Sequence, residues 1–297
     1  MNKINNFALI VGSIALDTIE TPHGSHVDLL GGSTTYALLA AGRFIPVHIV
    51  GVVGEDFPKY FREIYNSFAA DITDLKTETG TTFRWGGKYG ENQDNRETLF
   101  TELGVFADFN PQLSVQNQTA EMVFLANIHP SLQLSVMDQA GDQSIYVVDT
   151  MNLWIDTTRP ELEKVLERTT FLLINESEAE MLTNKTNLEK SAEILQEMGP
   201  KAVVIKQGSK GSTFFSGSQQ ISMGVYPVKK VVDATGAGDT FGGGFVAALA
   251  MGKDYREALA LGSALASFTV EDFGVLSLLS ATPETIESRL TALLNSK

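Results

Sequence analysis

Short, almost wholly apolar runs punctuate the chain at residues 7–14, 47–53, 122–126, 145–148, 171–174 and 202–205. A run that is apolar on both faces suits a strand in the middle of a parallel sheet, covered by helices on either side. Helical segments are predicted between and after them, at 35–43, 59–68, 160–168, 177–182 and 188–198. Strands alternating with helices of this length predict an α/β fold, a three-layer Rossmann-like core whose mostly parallel sheet is flanked by helices. The last third reads as mostly helical, at 241–251, 255–269 and 283–294.

Two stretches break that rhythm, at about 17–32 and 74–105. Both alternate polar and apolar residues between glycines, as half-exposed strands do. The expectation is a single domain over 1–297, with the two stretches forming a small β-sheet inserted into the core. Such a sheet would serve as a lid that excludes water; surface hairpins without a role are the alternative.

The run 233–244 carries the chemistry. It places Asp239 directly after Gly236, Ala237 and Gly238, ahead of an apolar helical segment. Small residues at a helix N-terminus let backbone N–H groups converge on an anion, and the helix dipole adds to the attraction. A carboxylate there would repel a phosphate held permanently, but it suits a phosphoryl group in transit, with Asp239 taking the proton of the attacking hydroxyl. The same run also reads as a loop with a helix cap. A dinucleotide fingerprint would need glycine where Phe241 stands, and the P-loop pattern is absent.

Further motifs stand where an α/β ligand site belongs, after the strands. Asp17 follows the first run and suits the vicinal hydroxyls of a sugar. Gly31 and Gly32 allow close approach of a ligand, with Ser33 as a cap. Asn175 and Glu178, three apart, share one face if a helix begins there; Glu178 could then orient Mg²⁺ through water. Lys206, Gly208, Ser209 and Gly211 form a turn suited to a nucleotide's phosphates and ribose. Each also has a plain structural reading, as turn, cap or hairpin.

In this order the motifs resemble those of the PfkB family of carbohydrate kinases, the ribokinase-like kinases, over essentially the whole chain. The resemblance implies a ribokinase-like fold and ATP-dependent transfer of the γ-phosphoryl group to a hydroxymethyl group of a sugar. A nucleoside kinase on the same fold is the alternative, and a catalytically silent nucleotide- or sugar-binding protein the alternative of another class. It implies Asp239 as the catalytic base and Gly236, Ala237 and Gly238 as the anion hole. Asp17, Gly31, Gly32 and Ser33 would hold the acceptor, with Arg84 and Asn127 as further candidates. Asn175, Lys206, Gly208, Ser209, Gly211 and Ser263 would hold the nucleotide, and Glu178 would serve Mg²⁺. A monovalent cation such as K⁺ is a further expectation, as is a homodimer paired through the lid. Two departures bear on the acceptor. Tyr36 stands near the place where ribokinases carry asparagine, and 149–154 lacks a proline-containing strand end.

Composition narrows the rest. A net charge of −14 and a pI near 4.7 argue against a nucleic-acid partner. The absence of cysteine removes disulfides and thiolate chemistry. The N-terminal run reads as a strand rather than a signal peptide, and 258–270 is too short to span a bilayer, so a cytoplasmic protein is expected. His23 and His26 lack acidic partners at metal-site spacing. His48 reads as structural, and His129 as a pocket residue.

Overall fold

The computed structural model describes residue 4, residues 7–90 and residues 96–296. In chain order the strands are β1 (Ala8–Val11), β2 (Ala15–Thr21), β3 (Gly24–Gly31), β4 (Val47–Gly54), β5 (Asp71–Glu78), β6 (Phe83–Tyr89) and β7 (Arg96–Glu102). They continue with β8 (Met122–Leu125), β9 (Ile145–Asp149), β10 (Phe171–Asn175), β11 (Ala202–Lys206), β12 (Ser212–Ser216) and β13 (Gln219–Met223).

The apolar runs gather into one nine-stranded sheet, ordered β13-β12-β11-β10-β9-β8-β1-β4-β5. From β11 to β5 every pair is parallel; β12 and β13 close the edge as antiparallel neighbours. Alternation along β1 shows why the run must be apolar throughout. Ala8 and Ile10 pack with the helices Ser33–Ala41, Ala237–Ala250 and Tyr255–Thr269, while Leu9 and Val11 pack on the other face with Pro130–Ala140 and Arg159–Glu167. All four strand residues are fully buried. Truncating such a residue to alanine typically costs about 2–5 kcal/mol.

β4 lies on one side of β1 and β8 on the other, so the strand order reverses there. A crevice opens at the carboxyl ends of strands at such a switch point, which is where α/β folds bind ligands. Over this end sits the second sheet, β3-β2-β6-β7, built from the two interrupting stretches. Its middle pair, β2 and β6, is parallel, and the outer pairs are antiparallel. On its inner face Ile19 and Tyr89 pack against Phe273, with Trp85, Val232 and Ala234 beside them.

The second stretch begins later than its alternation suggests. Residues 74–78 belong to β5, the edge strand of the large sheet, because they pair with β4 rather than with the small sheet. An edge strand has one solvated side and alternates as a half-exposed hairpin does. Residues 91–95 of the stretch lie outside the described residues. Two helices carried too little periodicity to be expected: Pro130–Ala140, which starts with proline in its first turn, and the six-residue Asn152–Thr157. Among the described residues no helix is long and apolar enough to cross a membrane.

Candidate active site

Asp239 lies in the first turn of the helix Ala237–Ala250, whose N-cap is Gly236. Gly236 has φ 73, a left-handed conformation, and a side chain there would collide with the ring of Tyr36. Only glycine meets both demands. Asp233 shapes this loop from beneath. It is fully buried, and its two oxygens accept from the N–H of Thr235 at 2.9 Å and of Gly274 at 3.0 Å. Burial pushes its carboxyl up, against those two N–H groups.

Asp17, 4% exposed, comes from β2 on the opposite wall. Across the strand pair Asp17 stands opposite Leu29, two residues before Gly31, and any side chain at 31 would strike the Asp17 carboxylate. Gly31 thus makes room for the acid, while Gly32, at φ 91, lets its backbone pass close to Ser13–Ala15. Ser33 caps the arrangement differently from expectation. Its N–H donates to the Ser13 hydroxyl at 3.1 Å, its own hydroxyl accepts from the Ser13 N–H, and Gly32 offers its helix no side-chain cap. Asn127, at the end of β8, takes the Trp154 indole N–H at 2.8 Å and turns its amide to the Met151 sulfur.

At the far side, Asn175 and Glu178 form a capping box: the Asn175 side chain accepts from the Glu178 N–H at 2.8 Å, and the Glu178 carboxylate from the Asn175 N–H at 3.0 Å. Capping holds Glu178 in place at the strand end. Lys206, in register with Asn175 on β11, puts its Nζ 2.7 Å from Asp149 Oδ2. The same Nζ lies 3.3 Å from where a side chain on Gly238 would begin. Burial lowers the affinity of this ammonium for its proton, but Asp149, then Glu178 and Asp239, outweigh it and raise the pKa above the ordinary lysine range. A fixed cation therefore stands beside Gly238 in the turn that begins the helix.

After β11, Gly208–Lys210 forms a single 3₁₀ turn, closed by the Lys210 N–H donating to the Gln207 carbonyl at 3.1 Å, and the Gln207 N–H donates across to the Gly211 carbonyl at 2.7 Å as β12 pairs back on β11. Turn and hairpin coexist. Ser209 is exposed on the turn, and Ser263 is buried within the helix Tyr255–Thr269.

The structure brings Gly236 to Asp239, Lys206 and Glu178 together at one end of the crevice and Asp17 with Gly31 at the other. Arg84 is placed differently from a substrate-contacting cation. Its guanidinium pairs with Asp28 and, at 3.0 Å, with Asp56. Asp149 was not among the sequence candidates; like Lys206 it ends an apolar strand, but nothing in the sequence pairs the two. Tyr89, whose hydroxyl accepts from Thr235 at 3.0 Å, carried no such signal. His48 bonds Asn117 at 2.7 Å inside the core, and the His129 ring meets Trp154. Among the described residues no group of three or more His, Cys, Asp or Glu converges as a metal cage.

Known proteins resemble this chain over most of its length. The cytidine kinase of Thermococcus kodakarensis is 29% identical over 276 residues, covering 90% of this chain and 96% of that one. The ribokinase of Bacillus subtilis is 26% identical over 286 residues, 89% of this chain and 93% of its own. The fold matches that of the Methanocaldococcus jannaschii nucleoside kinase, with a TM-score of 0.80 at 23% identity, covering 98% of this chain and all of the other. The model of the pfkB family carbohydrate kinases matches residues 8–282, and with that the chain belongs to the pfkB family.

Proposed function

We propose that the chain transfers the γ-phosphoryl group of ATP to the exocyclic hydroxymethyl group of a sugar. The observation that carries this is the position of Asp239 in the first turn of the helix capped by Gly236, with Asp17 near enough that both charges act on Tyr36. Asp17 and the Gly31-Gly32 backbone hold the acceptor. Asp239 accepts the hydroxyl proton as the acceptor oxygen bonds to the γ-phosphorus, and ADP leaves with the electrons of the broken P–O bond. The N–H groups at 236–238 and the Lys206 ammonium meet the charge that develops on the phosphoryl oxygens.

The donor set suits Mg²⁺ that keeps most of its waters, since Glu178 is one carboxylate rather than a cage. Such an ion neutralises the nucleotide phosphates when bound. A solved ribokinase of the same fold, from Arabidopsis thaliana, is a complex with ribose and ATP, which supports ATP as donor. The small sheet closes over the reaction as a lid.

A nucleoside acceptor is the second reading. Trp85 pairs in register with Asp17, and its indole lies along Gly87 among the inward-packed residues, a surface on which a base can stack. The cytidine kinase and nucleoside kinase relatives support it. The test is ADP release from Mg·ATP with ribose, fructose, cytidine and adenosine in turn. Acceptor-dependent ADP release is expected with at least one of them. ADP release no faster than without acceptor, across the panel, would refute the reading, and stacking predicts cytidine or adenosine ahead of ribose.

A further inference from the structure

We propose that the Tyr36 hydroxyl donates a hydrogen bond to a hydroxyl of the acceptor, and that it does so in a pocket that selects an uncharged polyhydroxylated acceptor over a phosphorylated one. This rests on the kinase reading above and adds the acceptor's charge class and a residue that reads it.

Tyr36 belongs to the helix Ser33–Ala41, is 1% exposed, and lays its ring against Gly236 at the head of the anion-binding turn. Its hydroxyl is buried with no hydrogen-bond partner. Buried hydroxyls are nearly always bonded, and one left unpaired destabilises a fold that phenylalanine would fill equally well. Four other side chains share this state among the described residues: Thr34, Gln133, Thr150 and Ser212. Gln133 is already anchored, its amide donating to the carbonyls of Ala126 and Asp149 at 3.1 Å each.

What sets Tyr36 apart is its place. Burial first, then the charges of Asp17, Asp233 and Asp239, push its pKa well above the phenol range. The hydroxyl therefore stays protonated, a donor within the field of both the acid that holds the acceptor and the acid that deprotonates it. A neutral hydroxyl oxygen is the partner this site lacks. A phosphate beside this hydroxyl would face the charges of Asp17 and Asp239, and Arg84 on the small sheet is already paired with Asp28 and Asp56.

The test is Tyr36→Phe, read two ways. Without ligand, its thermal midpoint is expected to equal or exceed that of wild type, since an unpaired hydroxyl is removed. At saturating Mg·ATP, KM for ribose or cytidine is expected to rise about tenfold, with KM for ATP unchanged. Wild type is expected to use ribose or cytidine in preference to fructose 6-phosphate. An unchanged acceptor KM, a midpoint lowered by several degrees or a variant that fails to fold would each overturn the role of Tyr36. Preference for fructose 6-phosphate would overturn the charge class. A wild-type chain inert toward every acceptor would overturn the kinase reading and this inference together.

Discussion

Two ion-pair clusters flank the crevice, and their surroundings differ. Lys206 and Asp149, over the anion-binding turn, have side chains 17% and 5% exposed and meet at 2.7 Å. Arg84, on the small sheet, bridges Asp28 and Asp56, and the three side chains are 26%, 58% and 29% exposed. Removing one member of a buried pair strands a charge in a low-dielectric site, at a cost of about 3–5 kcal/mol. The exposed kind is screened by water and contributes about 0–1 kcal/mol. The Lys206–Asp149 pair is therefore held in a fixed electrostatic geometry, while the Arg84–Asp56 pair, one of the contacts between the small sheet and the core, adds little to stability.

The contrast is broken most severely at the phosphoryl end. Asp239→Asn keeps the shape of the turn and removes the base, so turnover should fall by about 10²–10⁴-fold. Nucleotide binding, measured by calorimetry, should persist. Wild-type-like turnover in this variant would refute the base assignment. Next comes Lys206→Met. Loss of one preorganised charge should lower kcat by about 10²–10³-fold, and the stranded Asp149 should cost about 3–5 kcal/mol in urea unfolding. Pairing it with Asp149→Leu removes the stranded charge. The double variant should recover most of the stability and none of the turnover, which separates the chemical role of Lys206 from its structural one.

At the other cluster, Arg84→Ala should change unfolding free energy by no more than about 1 kcal/mol. The interesting readout is kinetic. If the bridge only fastens the lid, KM for the acceptor and product release shift while Asp239-dependent chemistry survives. Loss of acceptor binding as complete as in Asp17→Ala would instead return Arg84 to the substrate-contacting role that its position in the sequence suggested.

The difference between these clusters also explains what could be read from residues alone. Fully buried strands and the small-residue turn before Asp239 obey local rules: an apolar run needs two covered faces, and Gly236 caps its helix at a positive φ. Asn175 and Glu178 were legible as a pair because a capping box is written within four residues. Edge strand β5 was misplaced because half-exposed strands alternate alike in either sheet. The Lys206–Asp149 pair spans 57 residues and the Arg84–Asp56 pair 28, and neither separation leaves a periodic trace. Arg84 looked like a free cation because its partners are set by how β6 lies beside the turn after β4, a tertiary fact.

The smallest expected effect is the most specific to this comparison. Asp56 Oδ1 accepts from both the N–H and the hydroxyl of Thr82 at 2.7 Å, and its other oxygen takes the Arg84 guanidinium. Burial would raise its pKa, but Thr82 and then Arg84 favour the charged form more, so the carboxyl titrates below its ordinary value of about 3.8. A carboxylate with a depressed pKa in the folded state adds stability above the ordinary value and loses it as pH falls through the folded one. The stability gap between wild type and Asp56→Asn should therefore be widest at neutral pH and close on acidification below about pH 3.8. Urea unfolding across that range measures it. In an Arg84→Ala background the same gap should be smaller at neutral pH, since one of the groups favouring the charge is gone, while the part owed to Thr82 remains. A gap that is flat with pH in both backgrounds would mean that this cluster does not tie the small sheet to the core electrostatically, and the contrast with the buried pair would then rest on Lys206 and Asp149 alone.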